Sequence, residues 1–184
     1  MPRRSAEETR SSIIDAAIRE FASFGLAGAR VERIAAAAGV NPKTLYSHFA
    51  GKDALFAAAI DTSIEHAHES VPFRPDDLAG YAADLFDYVV DNPEIAMIDA
   101  WRRLERPDPT PAEQRHYDEK LRLLRETPHA SDGSRAPADV LVTVLAVASM
   151  WFSAPQALGE RSDRDRQRRR EMVVETVTRI VSPE

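Results

Sequence analysis

The sequence predicts an all-α fold, and three observations carry that reading. Apolar residues recur at spacings of three and four along the 184-residue chain, which is the period of one helix face. No alternating apolar run is bounded by hairpin turn residues, so no strand is expected, and no internal repeat is visible. Gly25, Gly39, Pro72 and Pro75 interrupt the periodic stretches and divide the chain into helix-sized pieces.

In order, the first helix spans Glu7 to Phe24, where Ile13, Ile14, Ala17, Ile18, Phe21 and Phe24 share a face, and Gly25 is expected to end it. A second helix of about two turns presents Val31, Ile34, Ala35 and Ala38 and closes at Gly39, where a chain leaving a helix needs positive φ. Asn41 is a good N-cap and Pro42 suits the first helical position, where its missing donor costs nothing. A third helix therefore starts there and runs through Leu45, Tyr46 and Phe49 to Gly51. The fourth begins near Lys52, turns Leu55, Phe56, Ala59, Ile60 and Ile64 toward a core, and continues toward Ser70. Further helices are expected over 75–91, 93–104, 111–126, 136–158 and 162–181, with Pro155 kinking the fourth of these five by removing a ladder hydrogen bond. Two linkers stand out: 106–111, with three prolines, and 127–137, rich in Ser, Gly, Pro and Asp and the best candidate for disorder.

Composition narrows the class. An apolar fraction of 43% and a charged fraction of 29% are those of an ordinary folded chain, and the length suits one domain or two small ones. The absence of cysteine excludes disulfide scaffolds, thiolate zinc sites and cysteine nucleophiles. No apolar run approaches the roughly 20 residues of a membrane span, and MPRRSAEETR has no signal-peptide apolar core, so a cytoplasmic protein with no membrane partner is expected. The formal charge of −6 is unevenly spread. Residues 1–52 hold eight Lys or Arg against five Asp or Glu, giving +3 and leaving −9 for the remainder. A polyanion partner is therefore expected to meet the N-terminal end.

The segment Val31 to Phe49 is a short helix, a tight turn centred on Gly39, and a second short helix. Helices so joined cross steeply, which lets the second lie in a DNA major groove while the first braces it. Pro42, Lys43, Thr44, Tyr46, Ser47 and His48 alternate with the core residues Leu45 and Phe49 and form a polar and aromatic outward face. Hydroxyls and a phenol suit phosphate oxygens and base edges. Lys52 adds an ammonium beside the free N–H groups of the next helix start, a pairing that can hold a phosphate.

The stretch GARVERIAAAAGVNPKTLYSHFAGKDALF resembles the DNA-binding signature of the TetR family of bacterial transcriptional regulators, and IIDAAIREFASFG is similar to that family's first helix. The resemblance covers residues 8 to about 60; the rest of the chain shares only length, helical content and two long C-terminal helices. It implies a three-helix helix-turn-helix domain over 1–51 and a helical effector-binding and dimerisation domain over 52–184, joined by the helix 52–70. It further implies a homodimer on a palindromic double-stranded DNA operator, released by a small-molecule effector, with no cofactor. Thr44, Tyr46 and Lys52 match the family's backbone contacts, and Pro42, Lys43, Ser47 and His48 fall at positions that tune sequence preference. One departure concerns the start of the second helix. Family members often have a capping Thr or Ser there, worth about 1 kcal/mol; this chain has Ala29 and Arg30, which leaves Arg30 to reach a phosphate itself.

His66 and His68 point about 200° apart on a helix and cannot chelate one ion. Glu113 and His116 share a face, but a carboxylate-bridged metal site needs two such pairs, so no metal is expected. The run Arg164, Arg166, Arg168, Arg169 and Arg170 alternates with Asp163, Asp165 and Glu171 and reads as a charged helix face at a dimer rim. Apolar stripes on the last two helices suggest a four-helix interface between subunits, with Val144, Ala148, Trp151, Val173, Val177 and Ile180 as its candidates and an intrachain core as the alternative. Effector-pocket candidates are Phe86, Tyr88, Met97, Trp101 and His116, together with Tyr117, Met150, Trp151 and Phe152; pockets and cores share these residue types. The reading is a ligand-responsive DNA-binding regulator, expected to be a repressor. Its rival is a helical small-molecule-binding or interaction dimer that has lost specific DNA binding. An enzyme is not expected, since paired carboxylates, a nucleophile with a base and a phosphate-binding Gly-rich loop are all missing.

Overall fold

The computed structural model describes residues 5–106, 108–127, 136–154 and 163–181. Among them the chain forms nine helices and no strand, which bears out the all-α class. They are α1 (Ala6–Gly28), α2 (Val31–Ala38), α3 (Pro42–His48), α4 (Lys52–Ser70), α5 (Leu78–Asp91), α6 (Pro93–Glu105), α7 (Pro111–Arg125), α8 (Pro137–Ser153) and α9 (Asp163–Val181). The expected disorder of 127–137 falls mainly on 128–135, and the Pro155 kink on 155–162; both lie outside the described residues.

The described residues divide into two compact units. One gathers those of 1–66 and 94–113, the other those of 67–93 and 114–184. In the first unit α1 opens with a capping box: the Ser5 hydroxyl accepts the Glu8 N–H at 3.0 Å and the Glu8 carboxylate accepts the Ser5 N–H at 2.7 Å. Its apolar face is fully buried at Ile13, Ala17 and Phe21. Phe21 meets Phe56 edge to face at 4.9 Å, and Ile98 of α6 enters the same core.

Two expectations for α1 are corrected. Gly25 does not end the helix but breaks it, at φ 65° and ψ −179°, and a last helical turn follows to Gly28. Phe24 is 49% exposed rather than buried, because the register carries it to the rim, where the Arg33 guanidinium covers its ring at 4.4 Å.

The break is built around α6. Both carboxylate oxygens of Glu105 accept backbone N–H groups, Leu26 at 2.5 Å and Ala27 at 3.1 Å. The Trp101 indole donates to the Ala22 carbonyl at 3.2 Å. The indole ring lies so close beneath Gly25 that a Cβ there would stand 2.7 Å from it. Only glycine satisfies both that backbone and that contact.

In the second unit α5 packs against α8 and α9. Its core contains Tyr81, Phe86, Leu124, Val144, Ala148, Val173 and Val177. Arg166 pairs with Asp87 at 3.1 Å and Asp91 at 2.7 Å, and Arg170 with Asp87 at 2.6 Å. The arginine run expected at a dimer rim is thus in part turned inward onto α5 of its own chain.

Candidate nucleic-acid interface

The α2–α3 corner is closed by Gly39 in the left-handed region at φ 70° and ψ 31°. Its N–H reaches the carbonyls of Ala35 and Ala36, and the Val40 N–H returns to Ala35 at 2.9 Å, as a helix ending on glycine requires. Asn41 then caps α3, its side chain accepting the Thr44 N–H at 2.8 Å, with Pro42 in the first turn. Within α3 only Leu45 is buried; Phe49 follows it into the core. These two anchors fix the rotation of the helix. Pro42, Lys43, Tyr46 and Ser47 are consequently exposed, Tyr46 by 54%, while Thr44 and His48 are half-buried. The Thr44 hydroxyl is 3.2 Å from Asn41 Oδ1, and the Ser47 hydroxyl donates to the Thr44 carbonyl at 2.6 Å. Tyr46 is therefore not a cap on the small core, and it projects into solvent.

The start of α2 lacks a side-chain cap, as Ala29 and Arg30 implied. Glu20 of α1 braces that start in another way. Its Oε1 takes the Arg30 N–H at 2.9 Å and Arg33 Nε at 2.8 Å, while Arg33 Nη2 donates to the Gly28 carbonyl at 3.1 Å. Burial raises the Glu20 carboxyl, but the hydrogen bonds from Arg33 and the Arg30 backbone outweigh it and hold the group below its ordinary value. The Arg30 side chain is exposed. Lys52 is engaged more than expected: its ammonium donates to the carbonyls of Ala27 at 3.3 Å and Ala29 at 3.2 Å. It staples the end of α1 to the start of α4 and keeps a third donor for an outside acceptor.

The effector candidates scatter. Phe86 is plain core at 1% exposure, Met150 is 52% exposed, and Tyr88, Trp151 and Phe152 are half-buried. Met97 and Trp101 belong to the first unit, where Met97 is 46% exposed and Trp101 serves the Gly25 break. The structure brings His116 and Tyr117 together, ring centroids 5.3 Å apart, with His68 against His116 at 5.0 Å. Sequence reasoning missed Lys120, which shares the α7 face with these two residues at offsets of four and three.

The dimer candidates need correction. Val144, Ala148, Val173 and Val177 are at most 1% exposed within their own chain, so the core has already consumed the surface they would offer a partner. Trp151 and Ile180 are half-buried. Val142, Met150 and Met172 are the large apolar side chains left outside on α8 and α9, at 64%, 52% and 43% exposure.

A short helix presented by its polar face from a glycine-closed corner is the geometry of helix-turn-helix DNA-binding proteins. Residues 13–59 match the family model described as bacterial regulatory proteins, tetR family, and residues 77–179 match a tetracyclin repressor-like C-terminal domain. The HTH-type transcriptional repressor SCO4008 of Streptomyces coelicolor is 35% identical over 163 residues, covering 85% of this chain and 84% of that protein. The chain belongs to the TetR family. The crystal structure of the putative transcriptional regulator SCO4942 from Streptomyces coelicolor superposes with a TM-score of 0.80 at 32% identity, covering 94% of this chain and 97% of the other. AibR, solved in complex with isovaleryl coenzyme A and operator DNA, shares the fold with a TM-score of 0.70 at 16% identity, covering 96% and 100%.

Proposed function

We propose that the protein is a cytoplasmic, ligand-responsive repressor that binds a palindromic DNA operator as a homodimer and performs no chemistry. The observation that carries this reading is the rotation of α3, which Leu45 and Phe49 anchor so that Lys43, Tyr46 and Ser47 face outward. On it, Tyr46, Thr44, Arg30 and the free donor of Lys52 hold phosphates, while Pro42, Lys43, Ser47 and His48 set base preference. The naming of a 35% identical relative as a repressor supports repression. A two-fold dimer matches the symmetry of a palindrome, and the outer faces of α8 and α9, with Val142, Met150 and Met172, offer its apolar surface. An effector that prefers one spacing of the two DNA-binding units over the operator-ready spacing shifts that population and releases DNA.

The test is a pull-down of genomic fragments with the purified protein at physiological salt, followed by sequencing. Enrichment of a palindrome whose retention falls steeply with salt is expected, since phosphate contacts release counterions. A folded dimer that enriches nothing would overturn the reading in favour of a binding dimer without DNA affinity.

A further inference from the structure

The second unit holds a buried cation that the DNA-binding reading leaves unused. Lys120 of α7 is 6% exposed, and its ammonium donates to the Tyr81 hydroxyl at 2.7 Å. The rings of Tyr81, Phe73 and Tyr117 stand 5.1, 5.5 and 6.0 Å from Nζ. Among the described residues no carboxylate pairs with it; burial alone acts on the group and pushes it down to about 8, which leaves it largely charged at neutral pH. Glu113, on the same helix, is seven residues away, about 10 Å along the axis at ~1.5 Å per residue, and its Oε1 pairs with Arg102 at 3.3 Å. Lysine is almost never buried without a counter-ion.

The rings next to that ammonium grade from buried to exposed. His68 is exposed and His116 half-buried. His68, His116 and Tyr117 form a row of edge-to-face rings with centroid spacings of 5.0 and 5.3 Å. Burial, then the positive charges of Lys120 and His68, push His116 down to about 4, so at neutral pH it is an uncharged imidazole beside an unneutralised ammonium. His68, His116, Tyr117, Tyr81 and Lys120 are all basic or phenolic, and Glu113, the carboxylate on the same helix, is paired with Arg102.

We propose that this cluster anchors the effector, and that the effector is a small organic acid: its carboxylate pairs with Lys120, and its apolar body lies along Phe73, His116 and Tyr117. The inference rests on the ligand-responsive reading and names its ligand class. A carboxylate supplies the missing counter-ion and accepts the two ammonium N–H groups that Tyr81 leaves over. An amide of the same shape brings no charge, and an amine is repelled, so the site ranks carboxylate over amide over amine.

The experiment follows the melting midpoint of the full chain with benzoate, phenylacetate and octanoate, with the three corresponding amides, and with benzylamine. At a hundredfold excess over its Kd at least one carboxylate is expected to raise the midpoint by about 5 °C or more, with its amide at least tenfold weaker by calorimetry. Lys120→Met should abolish the response and Lys120→Arg should retain part of it. If Lys120→Met does not fold, the carboxylate-over-amide ratio of the wild-type chain decides alone. Silence from every carboxylate, equal action of the amides, preference for benzylamine, or an undiminished response in Lys120→Met would overturn the proposal. Operator binding without any carboxylate response sinks this inference and leaves the regulator reading standing; the reverse pattern does the opposite.

Discussion

Gly25→Ala tests the α1 break most directly. The native backbone, φ 65° and ψ −179°, lies in a region populated almost only by glycine, and placing Ala there costs about 1–3 kcal/mol. The added methyl would stand 2.7 and 2.9 Å from Trp101 ring carbons and 3.0 Å from Glu105 Oε2. Neither neighbour is free to swing aside, since the indole is held by the Ala22 carbonyl and the carboxylate by two backbone N–H groups. Overpacking against such pinned groups adds about 1–3 kcal/mol. The sum, about 4 kcal/mol, is a large share of the roughly 5–15 kcal/mol that holds a domain folded. Urea denaturation of the full chain measures it, with Gly51→Ala as the control. A Cβ at Gly51 meets no atom within 4 Å and its φ is not positive, so that variant should stay within about 0.5 kcal/mol of wild type. A Gly25→Ala loss under about 1 kcal/mol would refute the reasoning, because it would mean the break and the indole beneath it are soft.

Four further substitutions have expected outcomes. Tyr46→Ala, at an exposed site, should leave stability within about 0.5 kcal/mol while strongly weakening operator binding in a filter assay; Lys52→Met should lower both, since it also releases the carbonyls of Ala27 and Ala29. Glu20→Ala should cost about 0.5–1.5 kcal/mol by removing the hydrogen bonds to the Arg30 N–H and Arg33, and the difference from wild type in chemical denaturation should shrink in acid. The sign follows from a carboxyl held below its ordinary value: its stabilisation is present above that value and is lost as pH falls through the depressed one. His116, pushed from 6.5 to about 4, makes the unfolded chain bind more protons between those values, so wild type should lose stability from pH 6.5 down to 4. His116→Gln should flatten that slope in urea titrations at pH 7 and 5, and an unchanged slope would show that the imidazole titrates freely.

Legibility followed the range of the interactions. The α2–α3 corner was readable because its determinants are local: Gly39 at the turn, Asn41 and Pro42 at the next start, and Leu45 and Phe49 at core spacing all lie within a dozen residues. The Gly25 break was half readable. Glycine announced an interruption, but whether the chain stops or resumes depends on Trp101 and Glu105, nearly eighty residues on. The same limit hid Glu20, whose role as acceptor for α2 depends on a neighbouring helix, and the second task of Lys52. The buried faces of α8 and α9 were visible as apolar stripes, yet a stripe does not say whether its partner is α5 of the same chain or a second copy. Val144 and Val177 went to the former, and Met150 and Met172 were left outside. Lys120 was invisible for a related reason. A lysine in a polar helix reads as solvated, and only the rings of Phe73 and Tyr81, brought from elsewhere in the chain, bury it.

The contacts between α6 and the α1 break bear on the order in which the molecule is made. Domains fold as units, and N-terminal ones commonly do so first, while synthesis continues. Here the first unit cannot close when α4 is finished, because the ring beneath Gly25 and the carboxylate across Leu26 and Ala27 arrive only with α6. A ribosome must complete all of the second unit's α5 before the first can finish. Contacts of such long sequence separation slow folding, since a large loop has to close before they form. A fragment ending at His66 would carry every helix of the helix-turn-helix, and would still lack the indole and the carboxylate that seat its first helix at Gly25.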